Sequence, residues 1–193
     1  MRERANAGDQ LAASMSAAHG IAEEAAAHGR FVFECFEYEG GPLLWREELD
    51  NVVCTAGKNV ALDAYLAGSA YTVVGPFLGL ISSVSFTAVA AADTMASHAG
   101  WLEAGNAHAP TYSGTRGTAA WSAASAGSKA LSAALSFTFT GTGTVQGAFL
   151  TFGTGAVNTV DSTAGTLYSA GTFGAAQPVI SGNVLNVSYT ASL

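Results

Sequence analysis

Charge is what this chain has least of. Asp, Glu, Lys and Arg make up 11% of its 193 residues, against about 25% in an ordinary soluble domain. Basic residues are the scarcer half: there are 7, no two closer than Arg2 and Arg4, beside 14 acidic ones, for a net charge of −7. Phosphate neutralisation needs grouped Lys and Arg, so no nucleic-acid partner is expected. Cysteine is limited to Cys35 and Cys54. Without a further Cys or His at short spacing they do not make a zinc set. They are either a pair joined across neighbouring strands or two reduced thiols acting as small buried apolar groups, and the second reading is preferred. Long apolar runs are absent too. Residues 71–81 form the longest, and Gly75, Pro76 and Gly79 break it far short of a bilayer span. Met1-Arg2-Glu3-Arg4 leads into Ala-rich sequence rather than an apolar leader core. The expectation is a soluble protein made in the cytoplasm, with no membrane partner.

What is present is apolar and mostly small. The hydrophobic fraction is 49%, enough for a core in a chain of one-domain length, although much of it is Ala. Over residues 5–28, Leu11, Met15, Ala18, Ala22 and Ala25 recur at three- and four-residue spacing, which predicts a helix with a thin apolar stripe. Gly20 weakens it and Gly29 marks its end. A stripe so poor in large side chains needs a partner surface, either the chain's own body or a neighbouring subunit. From Phe31 the period becomes two: Phe31, Phe33 and Cys35 alternate with Val32, Glu34 and Phe36. Gly40-Gly41-Pro42 turns the chain, and residues 43–48, with Trp45, read as the returning strand. This hairpin carries six carboxylates, Glu34, Glu37, Glu39, Glu47, Glu48 and Asp50. A solvated face is preferred to a metal or acid–base site, because nothing implies the concave apolar surroundings that shift carboxylate pKa values.

Thr55 opens a second predicted helix, its hydroxyl placed to cap the first turn. Val60, Ala61, Ala64, Tyr65 and Ala67 form its inner side and Gly68 ends it. Residues 71–85 read as apolar strand broken at Gly75-Pro76. Asp93 caps one helical turn through His98, and residues 103–117 form a loop carrying His108, Tyr112 and Arg116. The final third differs in kind. Strand candidates at 119–123, 130–140, 144–151, 166–172, 177–180 and 184–191 are separated by Gly127-Ser128, Gly141-Thr142-Gly143, Gly153-Thr154-Gly155, Gly174 and Ser181-Gly182-Asn183. From Ala130 onward 64 residues hold one charged side chain, Asp161, while Ser, Thr and Gly supply 27 of them. Such a surface lacks the charge that normally blocks edge-to-edge pairing, and a permanent assembly would remove that hazard.

Motifs for chemistry fail on spacing. Gly141 to Gly147 is glycine-rich but lies between strands, whereas a dinucleotide loop opens a helix. Gly57-Lys58 is followed by Asn59 and lacks the earlier glycine of a phosphate loop. His19, His28, His98 and His108 are scattered, and no serine sits in a Gly-x-Ser-x-Gly elbow. Trp45, Trp101 and Trp121 with the phenylalanines fit a glycan platform less well than a sandwich core, since Phe137 and Phe139 share one strand face. No catalytic, cofactor-binding or metal-binding residue is expected.

A resemblance emerges along the middle and end of the chain. Residues 53–71, with Gly57-Lys58-Asn59 leading the helix and Gly68-Ser69-Ala70-Tyr71 after it, resemble the opening of small virion structural proteins of tailed bacteriophages. In the same order follow the apolar strand 76–81, the segment 91–101 ending in Gly100-Trp101, residues 124–129, Gly147-Ala148-Phe149-Leu150, residues 165–171 and the closing 180–189. The likeness spans about Trp45 to the C-terminus and rests on turns and core positions. It implies a capsid cement or decoration protein of the minor capsid type. Such a protein binds the major capsid protein and itself, for instance as a trimer, on the capsid exterior, without a cofactor. A tail-fibre or baseplate module binding host glycan is the alternative. An exposed aromatic among Trp101, Tyr112 and Trp121 beside converging polar groups would favour glycan. Two carboxylates in one cleft would favour an enzyme.

The expected fold is mainly β with short helices. An antiparallel β-sandwich or jelly-roll-like body (31–193: hairpin 31–54, helix 55–68, charge-poor sandwich part 119–193) follows an N-terminal helical arm (1–30). The candidate assembly contacts are the large apolar side chains of arm and hairpin: Leu11, Met15, Ile21, Phe31, Phe33 and Trp45. The arm is expected to order on the shell and lock the subunit there.

Overall fold

A computed structural model describes residues 27–66 and 74–192. Most of the expected arm, with Leu11, Met15 and Ile21, therefore lies outside the described residues. Its last expected turn is not helical: His28 and Gly29 are extended and open the first strand. Gly29 is thus no helix stop. A Cβ there would overlap the Tyr189 hydroxyl on the neighbouring strand, so only glycine fits. The body begins at residue 28 rather than 31.

In chain order the elements are β1 (His28–Phe36), β2 (Leu43–Asp50), β3 (Val52–Val53), α1 (Thr55–Leu66), β4 (Phe77–Ser82), β5 (Leu102–Glu103), β6 (Gly117–Thr118), β7 (Ser128–Ala130), β8 (Leu135–Thr138), β9 (Gly143–Phe152), β10 (Thr166–Val179) and β11 (Val184–Ser192). The chain is mainly β, as expected, and its strands form two antiparallel sheets. In the first sheet the order is β2-β1-β11-β7, with β8 also on β11. In the second it is β3-β10-β9-β4-β5, with β6 also on β4.

Period-two patterning explains the first sheet. Phe31, Phe33 and Cys35 point inward from β1 and are fully buried. Opposite them on β11 stand Tyr189, Val187 and Leu185, and on β2 Leu49, Glu47 and Trp45. Phe31 meets Tyr189 at a ring separation of 4.5 Å, and Phe33 meets Phe173 of the second sheet edge-on at 4.6 Å. Each such aromatic pair contributes about 0.5–1.5 kcal/mol beyond its buried area.

The second sheet breaks the alternation. Every residue of β9 from Val145 to Thr151 is buried, because this sheet is covered on both faces. One face meets the first sheet. Against the other pack Cys54, Ile81, Met95, Trp101, Phe149, Leu167 and Ala170, with Phe86 and Val89 at their edge. Gly79 makes room for this layer: a Cβ there would overlap the Phe149 ring on the adjoining strand.

Three local expectations are corrected. The segment from Asp93 to His98 is a turn closed by Thr94–Ser97 pairing, not a helix. Asp93 Oδ2 accepts hydrogen bonds from the Ala90 amide and the Trp101 indole, fixing the tryptophan instead of a helix end. Gly174 is not a turn, since β10 runs through it, with a register shift between Thr172 and Gln177 where the Gln146 side chain donates to the Phe173 carbonyl. Cys54 rather than Thr55 holds the N-cap of α1, its carbonyl accepting from the Lys58 amide. More broadly, 119–193 is no separate part. Its strands are shared between the sheets, and each sheet is completed by β1 to β4.

The two cysteines are free and sit in different layers, Cys35 between the sheets and Cys54 outside the second. Burial pushes both thiols from 9.0 up to about 11, helped at Cys54 by the Asp93 carboxylate. A thiol reagent at pH 8 should therefore modify neither cysteine in the native protein and both in denaturant. Because the folded values lie above the unfolded one, the protonated thiols favour folding fully below pH 9. That contribution is lost as pH rises to about 11, so the denaturation midpoint should fall across this window. Rapid labelling of the native protein would contradict the packing described.

Candidate assembly surface

One ion pair of the body is enclosed. Glu103 on β5 and Arg116, one residue before β6, are both nearly inaccessible. Arg116 Nε donates to Glu103 Oε1 at 2.8 Å and an Nη2 proton to Oε2 at 2.6 Å, a two-pronged pair. The same guanidinium donates to the carbonyls of Val157 and Ser162, and the Asp161 amide donates to Glu103 Oε2 at 2.8 Å. Its remaining face lies 5.2 Å above the Phe149 ring. Burial raises the Glu103 carboxyl, and the Arg116 fork and the Asp161 amide pull it back part of the way. Glu103 is the sort of raised carboxylate that serves as an acid or base elsewhere. Here both oxygens are engaged and enclosed, so nothing is presented to a substrate. The pair ties the 103–118 loop to the 153–165 loop, and Asp161, the lone charge of the last third, adds a bond from the Ala107 amide at 3.2 Å.

The carboxylates of the hairpin are not a uniform acidic rim. Register places Arg30 opposite Asp50, and Arg46 opposite Glu34. Arg30 reaches Asp50 at 2.9 Å and Glu48 at 3.4 Å, while Arg46 reaches Glu48 at 2.5 Å and Glu34 at 3.5 Å. The hydrogen bond and charge of Arg30 lower the Asp50 carboxyl. Pairs this exposed add little stability, but they leave a face of alternating sign beside the Ser188, Thr190 and Asn186 row of β11.

Exposed Val52, Leu62, Leu66, Val74, Val84 and Val157 are scattered over the body, and two further apolar features lie at its ends. At one end of β1, Trp45 Nε1 donates to the Pro178 carbonyl and Asn183 Nδ2 to the Glu37 carbonyl, each at 3.0 Å, tying the hairpin tip to the β10–β11 turn. Tyr38, Leu43, Leu44 and Ile180 gather there, each at least half exposed. At the other end the sheets part and α1 leans over the gap, enclosing an apolar cleft of about 490 Å³. Val60, Ala61 and Ala64 of α1 face it across from Trp121, Phe152 and Tyr168.

Against this geometry the expected contacts divide. Phe31 and Phe33 are not assembly contacts, because period two sends both into the core, where no accessible surface remains. Trp45 stays half-buried, its ring edge-on to Phe173. Leu11, Met15 and Ile21 lie outside the described residues. Trp101 and Tyr112 are buried, so neither offers a glycan platform, and the Ser128 and Ser192 hydroxyls beside Trp121 bond each other at 2.8 Å. Sequence reasoning missed the Glu103–Arg116 pair. Its only signal was one carboxylate and one guanidinium in an otherwise uncharged stretch.

Glu103→Gln should lower the unfolding free energy by roughly 3–5 kcal/mol in denaturant titration, because it leaves the guanidinium enclosed without a counter-charge. A loss below about 1 kcal/mol would mean that water reaches the pair. No protein-family model matches the chain, and no match was found among curated proteins or solved structures.

Proposed function

We propose that this chain is a structural protein of a tailed-bacteriophage virion, a capsid cement or decoration protein that binds the major capsid protein and stabilises the head. The observation that carries the reading is the apolar end of the sandwich. Tyr38, Leu43, Leu44 and Ile180 are exposed on the hairpin tip and the β10–β11 turn, which Trp45 and Asn183 tie together. Exposed apolar groups gathered at one end mark a surface built to be covered. The sequence resemblance supplies the identity of the cover. Charge polarity does not, since the alternating signs of the hairpin face fit no strongly basic partner.

A role as a host-glycan module on a tail fibre or baseplate draws less support. Of Trp101, Tyr112 and Trp121, only Trp121 is accessible, and its surroundings are mostly apolar. Sugars need polar groups converging beside the ring, and the nearest hydroxyls satisfy each other.

Quantitative staining of purified particles on a denaturing gel tests the assignment. A shell protein obeying head symmetry should be present at on the order of hundreds of copies, and a count in the tens would move it to the tail. On such particles Leu43→Glu with Ile180→Glu should reduce occupancy roughly tenfold, the factor that loss of one modest apolar contact makes. Unchanged occupancy would show that the hairpin end faces solvent.

A further inference from the structure

The arm was expected to need a surface to lie against, and the body offers one beside the point where the arm leaves it. We infer that the cleft under α1 is the seat of this chain's own N-terminal arm, residues 15–26. Residues 1–26 precede the described body. The chain enters the body at His28, which pairs with Ser192, and Ser192 lines the cleft. A helix leading away from residue 27 would place Ala25, Ala22, Ala18 and Met15 within roughly 3 to 18 Å of that rim, at 1.5 Å per residue.

The two surfaces match in kind. On the arm, Met15, Ala18, Ala22 and Ala25 fall on one helical face, with Ile21 beside them. Small side chains let a helix approach closely, which suits a cleft only about 490 Å³ in volume. The lining is alanine, valine and aromatic, so it rewards apolar contact without demanding polar partners. Charge agrees as well. Lys129 lies at the cleft, and the arm carries Glu23 and Glu24 next to Ala22. The inner face of α1 is itself unfinished: Val60, Ala61 and Ala64 are only half-buried by the sheets. A second amphipathic helix would complete the burial of α1 and of Trp121 together. This seat does not depend on which particle the subunit joins.

Disulfide trapping in the full-length protein tests it, since both native thiols are buried and in separate layers. Ala124→Cys, at the cleft, is combined in turn with Ala18→Cys, Ala22→Cys and Ala25→Cys, and with Ser16→Cys on the opposite helical face as control. Oxidation at low micromolar concentration should give an intramolecular link for at least one of the first three and none for the control. A disulfide-linked dimer would overturn the inference in favour of a second copy's arm. Absence of any link would overturn it outright, leaving the cleft to residues 67–73 or to a small apolar ligand. Hydrogen exchange gives an independent reading without new thiols. Ala22→Asp should speed exchange of amides in residues 60–64 and 121–129 on the order of tenfold. Unchanged exchange there would count equally against it.

Discussion

The structure depends on one long-range pairing, that of β1 with β11. Nine residues at the start of the body lie antiparallel to nine at its end, from His28 opposite Ser192 to Phe36 opposite Val184. Everything in the first sheet hangs on this ladder. Within the sheet β2 pairs with β1 alone, and β7 and β8 with β11 alone. The two strands also supply the aromatic centre, with Phe31 against Tyr189 and Phe33 against Phe173 across the sandwich. A sheet whose central pair joins strands about 150 residues apart closes late, because loop-closure entropy must be met before the contacts form.

That ladder changes the meaning of the charge-poor last third. Read along the chain, 64 residues with one charge look like a bare surface awaiting neighbours. In the fold, much of that stretch has no surface. β9 is enclosed from Val145 to Thr151, and β10 is buried at Leu167, Ser169, Ala170 and Gly171. A strand covered on both faces has no use for charge, so burial inside the subunit explains the middle of the stretch. What still calls for an outside explanation is narrower: the Ser, Thr and Asn face of β11 and β8, and the apolar hairpin end.

The sequence made legible whatever follows from local period. Phe31, Phe33 and Cys35 at spacing two, with Gly40-Gly41-Pro42 after them, predict β1, its turn and the start of β2, while β1 begins three residues earlier and β2 ends two residues later than expected. Gly153-Thr154-Gly155 and Ser181-Gly182-Asn183 mark real turns for the same reason. Period does not name a strand's partner, so neither β1 beside β11 nor the sharing of both sheets could be read. Glycine misled as well: Gly29 and Gly174 look like stops, yet each lies inside a strand, Gly29 packed under the Tyr189 hydroxyl and Gly174 with open space beside it. At the candidate surface, Phe31 and Phe33 were drawn to the exterior by their size alone. Their alternation with Val32 and Glu34 already placed them inside. The cleft was beyond reach, since it is built from six segments that meet only after the sheets form.

Edges decide which of the remaining surfaces can serve assembly. β2 is an edge strand of eight residues, long enough to recruit another strand. It is guarded twice. Arg46, Glu48 and Asp50 line its outer face, and Glu47 points inward beside the core, where Gln177 of the other sheet donates to it at 3.3 Å. An inward carboxylate on an edge would be stranded if a new strand sealed it from water, and sheet extension through β2 is therefore disfavoured. The second sheet ends in strands of two residues, β3 on one side and β5 and β6 on the other, too short to template a partner. With β2 guarded and β3, β5 and β6 short, contact between subunits would fall to side-chain surfaces at the ends of the sandwich. One end carries Tyr38, Leu43, Leu44 and Ile180, and the other is where the arm departs. On the proposed reading, a body so arranged would present one end to a partner while the opposite end is finished by its own chain.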